Sequence, residues 1–171
     1  KSYHLRRITT GDVIWCQGFS EPAAGTDLAA LTLSARREGD EYVVNGTKIW
    51  TSYASSAHWC FVLARTDPDS TGNRGISIFL VPTGIDGFTI EPLDTMLDVH
   101  VVHRLTFDAV RVHASAMLGT EHDGWSVIRD ALAHERIGGP RYARSEMVLD
   151  RIQARCAESG AWRSAACRAQ V

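Results

Sequence analysis

The chain has 171 residues, 44% of them hydrophobic, which excludes a disordered polymer and provides for one buried core with part of a second. A net charge of −2 gives neither nucleic acid nor an anionic membrane a field to bind, so neither is an expected partner.

From residue 14 to residue 112 short β-branched and aromatic runs alternate with turn residues, the pattern of an antiparallel sandwich or barrel. Strands are predicted at 14–20, 31–37, 41–44, 47–50, 59–65, 75–81, 88–92 and 103–110. Arg37-Glu38-Gly39-Asp40 and Asn45-Gly46 both read as tight hairpin turns, because Gly and Asn accept positive φ, so residues 31–50 are expected to form a meander. Asp67 to Asn73 is a polar loop at a sheet end. After Gly119 the period lengthens: Trp125, Ile128, Leu132 and Ile137 share a face, while Arg129, Asp130 and His134 point elsewhere, so a helix is expected from about Asp123. Gly138-Gly139-Pro140 is expected to kink that helix without ending it, the helix continuing through Met147, Leu149 and Ile152. Residues 162–171 read as a linker and the opening of another helix.

The fold class is therefore α+β: an antiparallel β-sandwich or barrel followed by helices of a truncated helical bundle. Residues 1–13 read as the end of a preceding helical domain, 14–119 as the β-domain and 120–171 as the start of a helical domain, with truncation expected at both ends. Cys16, Cys60, Cys156 and Cys167 are widely spread, with no CxxC pair and no nearby His at metal-ligand spacing, and read as reduced, mostly packed thiols rather than zinc ligands. No run of about 18 apolar residues and no basic, apolar leader is present, so neither membrane insertion nor export is indicated and a cytoplasmic location is expected.

The densest chemical signal is Trp15-Cys16-Gln17-Gly18-Phe19-Ser20-Glu21-Pro22-Ala23-Ala24-Gly25-Thr26-Asp27-Leu28, a strand running into a small-residue loop. A strand end offers backbone N–H and C=O groups at fixed spacing, and Gly25 between Ala24 and Thr26 lets a bulky polar ligand reach the backbone, which suits a planar heterocycle with a phosphate tail. Taken alone the segment also fits an ordinary β-turn punctuated by Pro22 and Gly25. A second element, Asn45-Gly46-Thr47-Lys48-Ile49-Trp50-Thr51-Ser52-Tyr53, delivers an indole and two hydroxyls together; by itself Trp50 reads more readily as a core residue than as a cofactor contact, because aromatics dominate core burial.

Together the two segments resemble the acyl-CoA dehydrogenase family, whose middle β-domain carries a Ser/Thr-Glu-Pro-Gly-Ala-Gly-Ser-Asp loop and an Asn-Gly-x-Lys-x-Trp-x-Ser/Thr strand. They stand here as Ser20 to Asp27 and Asn45 to Ser52, and the likeness continues through Arg74-Gly75-Ile76-Ser77, Phe107-Asp108-Ala109-Val110-Arg111-Val112, Gly124-Trp125 and Glu135-Arg136, covering about residues 8–155. The resemblance implies bound FAD, with Gln17, Gly18, Phe19, Ser20, Gly25, Thr26, Trp50, Thr51 and Ser52 as the cofactor-binding set. Ser20 and Ser52 match positions that hydrogen-bond the flavin ring and so tune it as an acceptor. Thr26 matches a residue beside the cofactor phosphates and the pantetheine arm, and Ala133 to Arg136 match the helix stretch along the acyl-CoA chain, so Thr26, Ala133 and Arg136 are the expected substrate contacts.

The implied reaction removes the α-proton of a thioester with a carboxylate while hydride leaves the β-carbon for flavin N5. A buried carboxylate beside a polarised thioester has a raised pKa, which matches a weak base to a weak carbon acid. In much of the family that glutamate lies later in the chain; in the isovaleryl and long-chain branches it lies on the first helix after the β-domain, directly before an Arg, where Glu135 stands. Glu135-Arg136 also fits an exposed helical pair or a structural ion pair. Asp98, His100 and His103 read as structural residues of a loop beside the sheet and not as a metal cluster. The chain departs from the pattern at Ala23 for Gly, Thr26 for Ser, and His103-Arg104 for Asn-Glu. Electron-transferring flavoprotein as acceptor and a homo- or heterotetramer follow from the resemblance. Two other readings remain: an acyl-CoA oxidase, or a non-catalytic partner subunit.

Overall fold

The computed structural model describes residues 2–96, 101–136 and 138–160, with the backbone alone for Ser2, Arg136 and Pro140. The elements in order are α1 (Ser2–Thr9), β1 (Trp15–Gly18), β2 (Ser34–Glu38), β3 (Glu41–Ser52), β4 (Trp59–Arg65), β5 (Ile76–Pro82), β6 (Phe88–Pro92), β7 (Val102–His113), β8 (Met117–Leu118), α2 (Gly124–Arg136) and α3 (Gly139–Glu158). Strands and helices segregate along the chain, as the α+β expectation requires. Two compact units result, Lys1–Ile128 and Arg129–Val171.

The strands form one sheet in the order β6-β7-β3-β2-β4-β5-β8, with β1 paired to β4. Most pairings are antiparallel; β1 runs parallel to β4, and Ser34 of β2 pairs in parallel with Arg65 at the end of β4. That single-residue join is where the sheet turns back on itself. Tyr42 of β3 lies 4.9 Å, ring to ring, from Phe79 of β5, although the two strands are far apart in the sheet order. Inward side chains of both halves, including Leu33, Val44, Val62, Val81, Leu105 and Phe107, fill one core, each at most 2% exposed. Alternating apolar residues on both sides of a closed layer are what β-branched strands bury most effectively.

Three sequence expectations are corrected. Asn45-Gly46 is not a turn: β3 runs unbroken from Glu41 to Ser52, and a register shift against β7 falls between Val44 and Gly46. The extra residue lies on β7, where Asp108 and Ala109, the latter at φ 51°, stand opposite Asn45; Gly46 beside this bulge has φ 136°, and a Cβ there would come within 3.0 Å of the Leu33 Cα. Asn45 supports the bulge by accepting the Ala109 N–H through Oδ1 at 2.8 Å. The expected meander over 31–50 is consequently one hairpin, β2–β3, at Gly39, whose second strand pairs on with the distant β7. The third correction concerns the long kinked helix. Gly138 takes a left-handed φ of 67° as the N-cap of a new helix, and Pro140 falls in that helix's first turn, where a missing N–H costs nothing. Ile137, Asp98, His100, Cys167 and the segment 161–171 lie outside the described residues.

Candidate cofactor cleft

The end of β1 and the end of β3 meet at a cleft of about 310 Å³ lined by Trp15, Cys16, Gln17, Phe19, Ser20, Ile49, Trp50, Ser52 and Tyr53. Two segments separated by 29 positions, from Ser20 to Ile49, are thereby brought together, as their motifs require. Three hydrogen bonds hold them. The Thr51 hydroxyl donates to the Gln17 carbonyl at 3.1 Å, the Ile49 N–H donates to the Ser20 carbonyl at 2.8 Å, and Lys48 Nζ donates to the Phe19 carbonyl at 3.0 Å.

The second irregularity of β3, between Lys48 and Thr51, decides which side chains face the cleft. Trp50 sits there at φ 64° and Tyr53, just past the strand, at φ 55°, left-handed conformations that cost a bulky residue roughly 1 kcal/mol or more. Strain of this kind persists where the surroundings enforce it, and here it leaves Trp50 58% and Tyr53 64% exposed beside the cleft. Thr51 turns the other way, to 2% exposure, and its carbonyl meets Nδ1 of buried His103 at 3.2 Å. The expected trio is thus split: Trp50 and Ser52 line the cleft and Thr51 ties its wall from behind.

Of the loop residues, Gln17, Phe19 and Ser20 line the cleft; Gly18, Gly25 and Thr26 do not. Gly18 is required by packing, since a Cβ there would lie 2.5 Å from Val62 Cγ2. Glu21 and Ala24 exchange backbone hydrogen bonds at 2.8 and 3.1 Å with Pro22 between them, so the β-turn reading of this stretch holds as well. Gly25 and Thr26 are exposed, and a Cβ built on Gly25 would meet nothing within 4 Å, leaving its backbone open to a ligand. Aromatic residues together with Ser20 and Ser52 in the lining fit a planar heterocycle with a polar edge.

Behind the loop lies a buried ion pair to which the sequence reading assigned no role. Lys48 and Glu21 meet at 2.8 Å with side chains 0% and 4% exposed. Glu21 also accepts the Thr32 N–H at 2.7 Å, the Thr32 hydroxyl at 2.9 Å and the Leu33 N–H at 2.9 Å. Burial pushes the Glu21 carboxyl up, but the Lys48 charge and these donors outweigh it and hold it below its ordinary range; burial holds Lys48 below its own ordinary value against the pull of Glu21. A signal was available, because Lys48 shares the inward parity of Tyr42 and Val44 along β3 and is, with Lys1, one of the chain's two lysines. Trp15, Cys16, Ile49 and Tyr53 complete the lining without having been singled out as site residues. Cys16 pairs in register with buried Cys60, whose thiol the hydrogen bond to Cys16 and burial push well up, so that it stays protonated.

Glu135 and Ala133 belong to the second unit, both exposed on α2. Arg136 is the last residue of that helix, and its side chain lies outside the described residues. Among the described residues no cluster of three potential metal ligands occurs, and no helix is long and apolar enough to cross a membrane.

Residues 16–110 match the middle domain of acyl-CoA dehydrogenases. The chain is 42% identical over 132 residues to acyl-CoA dehydrogenase IpdE1 of Mycobacterium tuberculosis, a match covering 77% of this chain and 34% of that protein. Among solved structures it resembles the ChsE4-ChsE5 complex of Mycobacterium tuberculosis, with TM-score 0.71 and 40% identity over 78% of this chain and 34% of that one. It likewise resembles a glutaryl-CoA dehydrogenase of Mycobacterium smegmatis in complex with FADH2, with TM-score 0.63 and 38% identity over 71% of this chain and 31% of that one. The chain spans about a third of the length of such relatives.

Proposed function

This chain belongs to the acyl-CoA dehydrogenase family, and on that premise we propose that residues 14–119 are a flavin-holding middle domain and 120–171 the start of a helical domain, in an enzyme that desaturates an acyl-CoA thioester between its α and β carbons. The observation that carries the reading is the convergence of the Gln17 to Ser20 strand end and the Trp50 to Ser52 strand end on one cleft. FAD, the cofactor we assign, supplies a two-electron acceptor when bound. The relative with FADH2 supports that assignment.

In this reading Trp50 covers one side of the flavin ring, the hydroxyls of Ser20 and Ser52 hydrogen-bond its polar edge, and the open backbone at Gly25 and Thr26 receives the phosphates and the pantetheine arm. Glu135 takes the substrate α-proton, and Ala133 and Arg136 lie along the acyl-CoA chain. Electrons pass on to an electron-transferring flavoprotein, and the assembly is a cytoplasmic homo- or heterotetramer. The second reading, a partner subunit without its own base, is favoured by the likeness to the two-chain ChsE4-ChsE5 complex.

Purified full-length protein is expected to be yellow, with a flavin absorbance spectrum that bleaches under anaerobic titration with a panel of acyl-CoAs. A colourless protein that takes up no FAD would refute the reading. Glu135→Gln is expected to abolish exchange of the substrate α-proton with solvent; normal exchange would place the base elsewhere or in a partner chain. Peroxide formed during turnover would instead indicate an oxidase.

A further inference from the structure

We infer that the buried Lys48–Glu21 pair is a positioning device for the cofactor: it fixes the Phe19-Ser20-Glu21 backbone from behind, so that the flavin-facing side of that loop is rigid before the ligand arrives. The inference rests on the flavin reading of the cleft and adds residues that touch no ligand. Lys48 Nζ reaches both the Phe19 carbonyl, at 3.0 Å, and Glu21 Oε1, at 2.8 Å, while the next residue of the strand, Ile49, takes the Ser20 carbonyl at 2.8 Å. Two consecutive carbonyls of the loop are therefore drawn onto β3. The described chain contains no cis peptide, and a trans peptide sets N–H opposite C=O, so the Ser20 N–H is turned away from Lys48, on a residue that lines the cleft.

Glu21 completes the device. Its carboxylate takes Lys48 on one oxygen with Leu33 N–H, and Thr32 on the other, so a single side chain ties the loop to β3 and to the segment entering β2. Four donors on a nearly buried carboxylate leave it no alternative geometry, because any other rotamer strands a charge in the interior. A hydrophobic pair of similar size would fill the same space. What it would not do is hold a backbone carbonyl, and that is the specific work of the ammonium group.

The test separates stability from positioning. Lys48→Met alone leaves Glu21 buried without its cation, whereas K48M/E21Q removes both charges and keeps an acceptor for the Leu33 N–H. The double variant of the full-length protein is expected to fold, with amide exchange at residues 19–24 faster by about tenfold or more while β4 and β5 keep their protection. Its FAD dissociation constant is expected to rise about tenfold or more, with a shifted visible spectrum for the flavin that does bind. E21Q alone, still able to accept from Lys48, is expected to fall between the double variant and the wild type, and decides the matter if the double variant does not fold. Unchanged exchange at 19–24 would overturn the inference, and so would faster exchange accompanied by wild-type FAD affinity and spectrum. Should the wild type bind no FAD, the flavin reading fails on that control, and the exchange measurement still decides whether the pair holds the loop.

Discussion

The two halves of β3 are built for different ends. From Glu41 to Val44 the strand is regular, paired on one side with β2 and on the other with β7, and its Tyr42, Val43 and Val44 are all buried. From Asn45 to Tyr53 the same chain passes two register shifts, three positive φ angles at Gly46, Trp50 and Tyr53, and a buried charge at Lys48. The first half supplies cohesion, through cross-strand pairs and apolar burial. The second spends conformational energy to aim side chains, and every cleft-lining residue of β3 comes from it. Apolar burial and cleft lining are thus divided along one strand at Gly46, which faces a bulge of β7.

On that division, substitution at Gly46 has the largest effect on folding. Gly46→Val forces a branched side chain into a positive φ and onto the Leu33 backbone, and is expected to cost about 3 kcal/mol or more, read as a drop in melting temperature. In the regular half, Tyr42→Phe removes a hydroxyl bonded to Glu121 at 2.6 Å; burial first, and then that bond, push the phenol up to about 12. A loss of about 1.5–2 kcal/mol is expected in denaturant unfolding, with FAD affinity untouched; a matching loss of FAD affinity would break the division. In the irregular half the signs part: Trp50→Gly relieves a left-handed strain and is expected to leave stability unchanged or raise it by about 1 kcal/mol while weakening FAD binding.

The last contrast is one of pH and is carried by Glu21, whose charge stabilises the fold at neutral pH and ceases to do so in acid. Its folded pKa lies below the ordinary 4.5, so its contribution is fully present above that value and is lost as pH falls through the folded value. Thermal unfolding between pH 6 and pH 3 is expected to show a steeper decline in the wild type than in Glu21→Gln, and parallel curves would show that Glu21 is not charged in the folded state.

Much of this was legible in the residues. The strands 59–65 and 88–92 fall where alternation and turn residues put them, and β1, β5 and β7 differ from expectation by a few end residues. The two-residue β8 has too little periodicity to register. The errors cluster at glycines: Asn45-Gly46 and Gly138-Gly139-Pro140 announce a positive φ or a helix break, but a turn, a strand opposite a bulge and a new N-cap all use a positive φ. Local composition cannot distinguish them, because the choice depends on whether a partner strand, here β7, arrives from about 60 residues away.

For the cleft, the residues alone name the participants: the two motifs, their aromatic and hydroxyl residues, and the likeness that joins them. Their roles come from the folded chain. Thr51 and Ser52 are neighbours of similar chemistry, yet one is buried and the other faces the cleft, because successive strand residues point to opposite sides and a bulge resets the count. Lys48 reads in sequence as a polar residue of a hairpin; burial against Glu21 and the Phe19 carbonyl makes it an internal strut. Its partners are set by contacts across 27 and 29 residues, and such long-range pairings exist only once the sheet has closed.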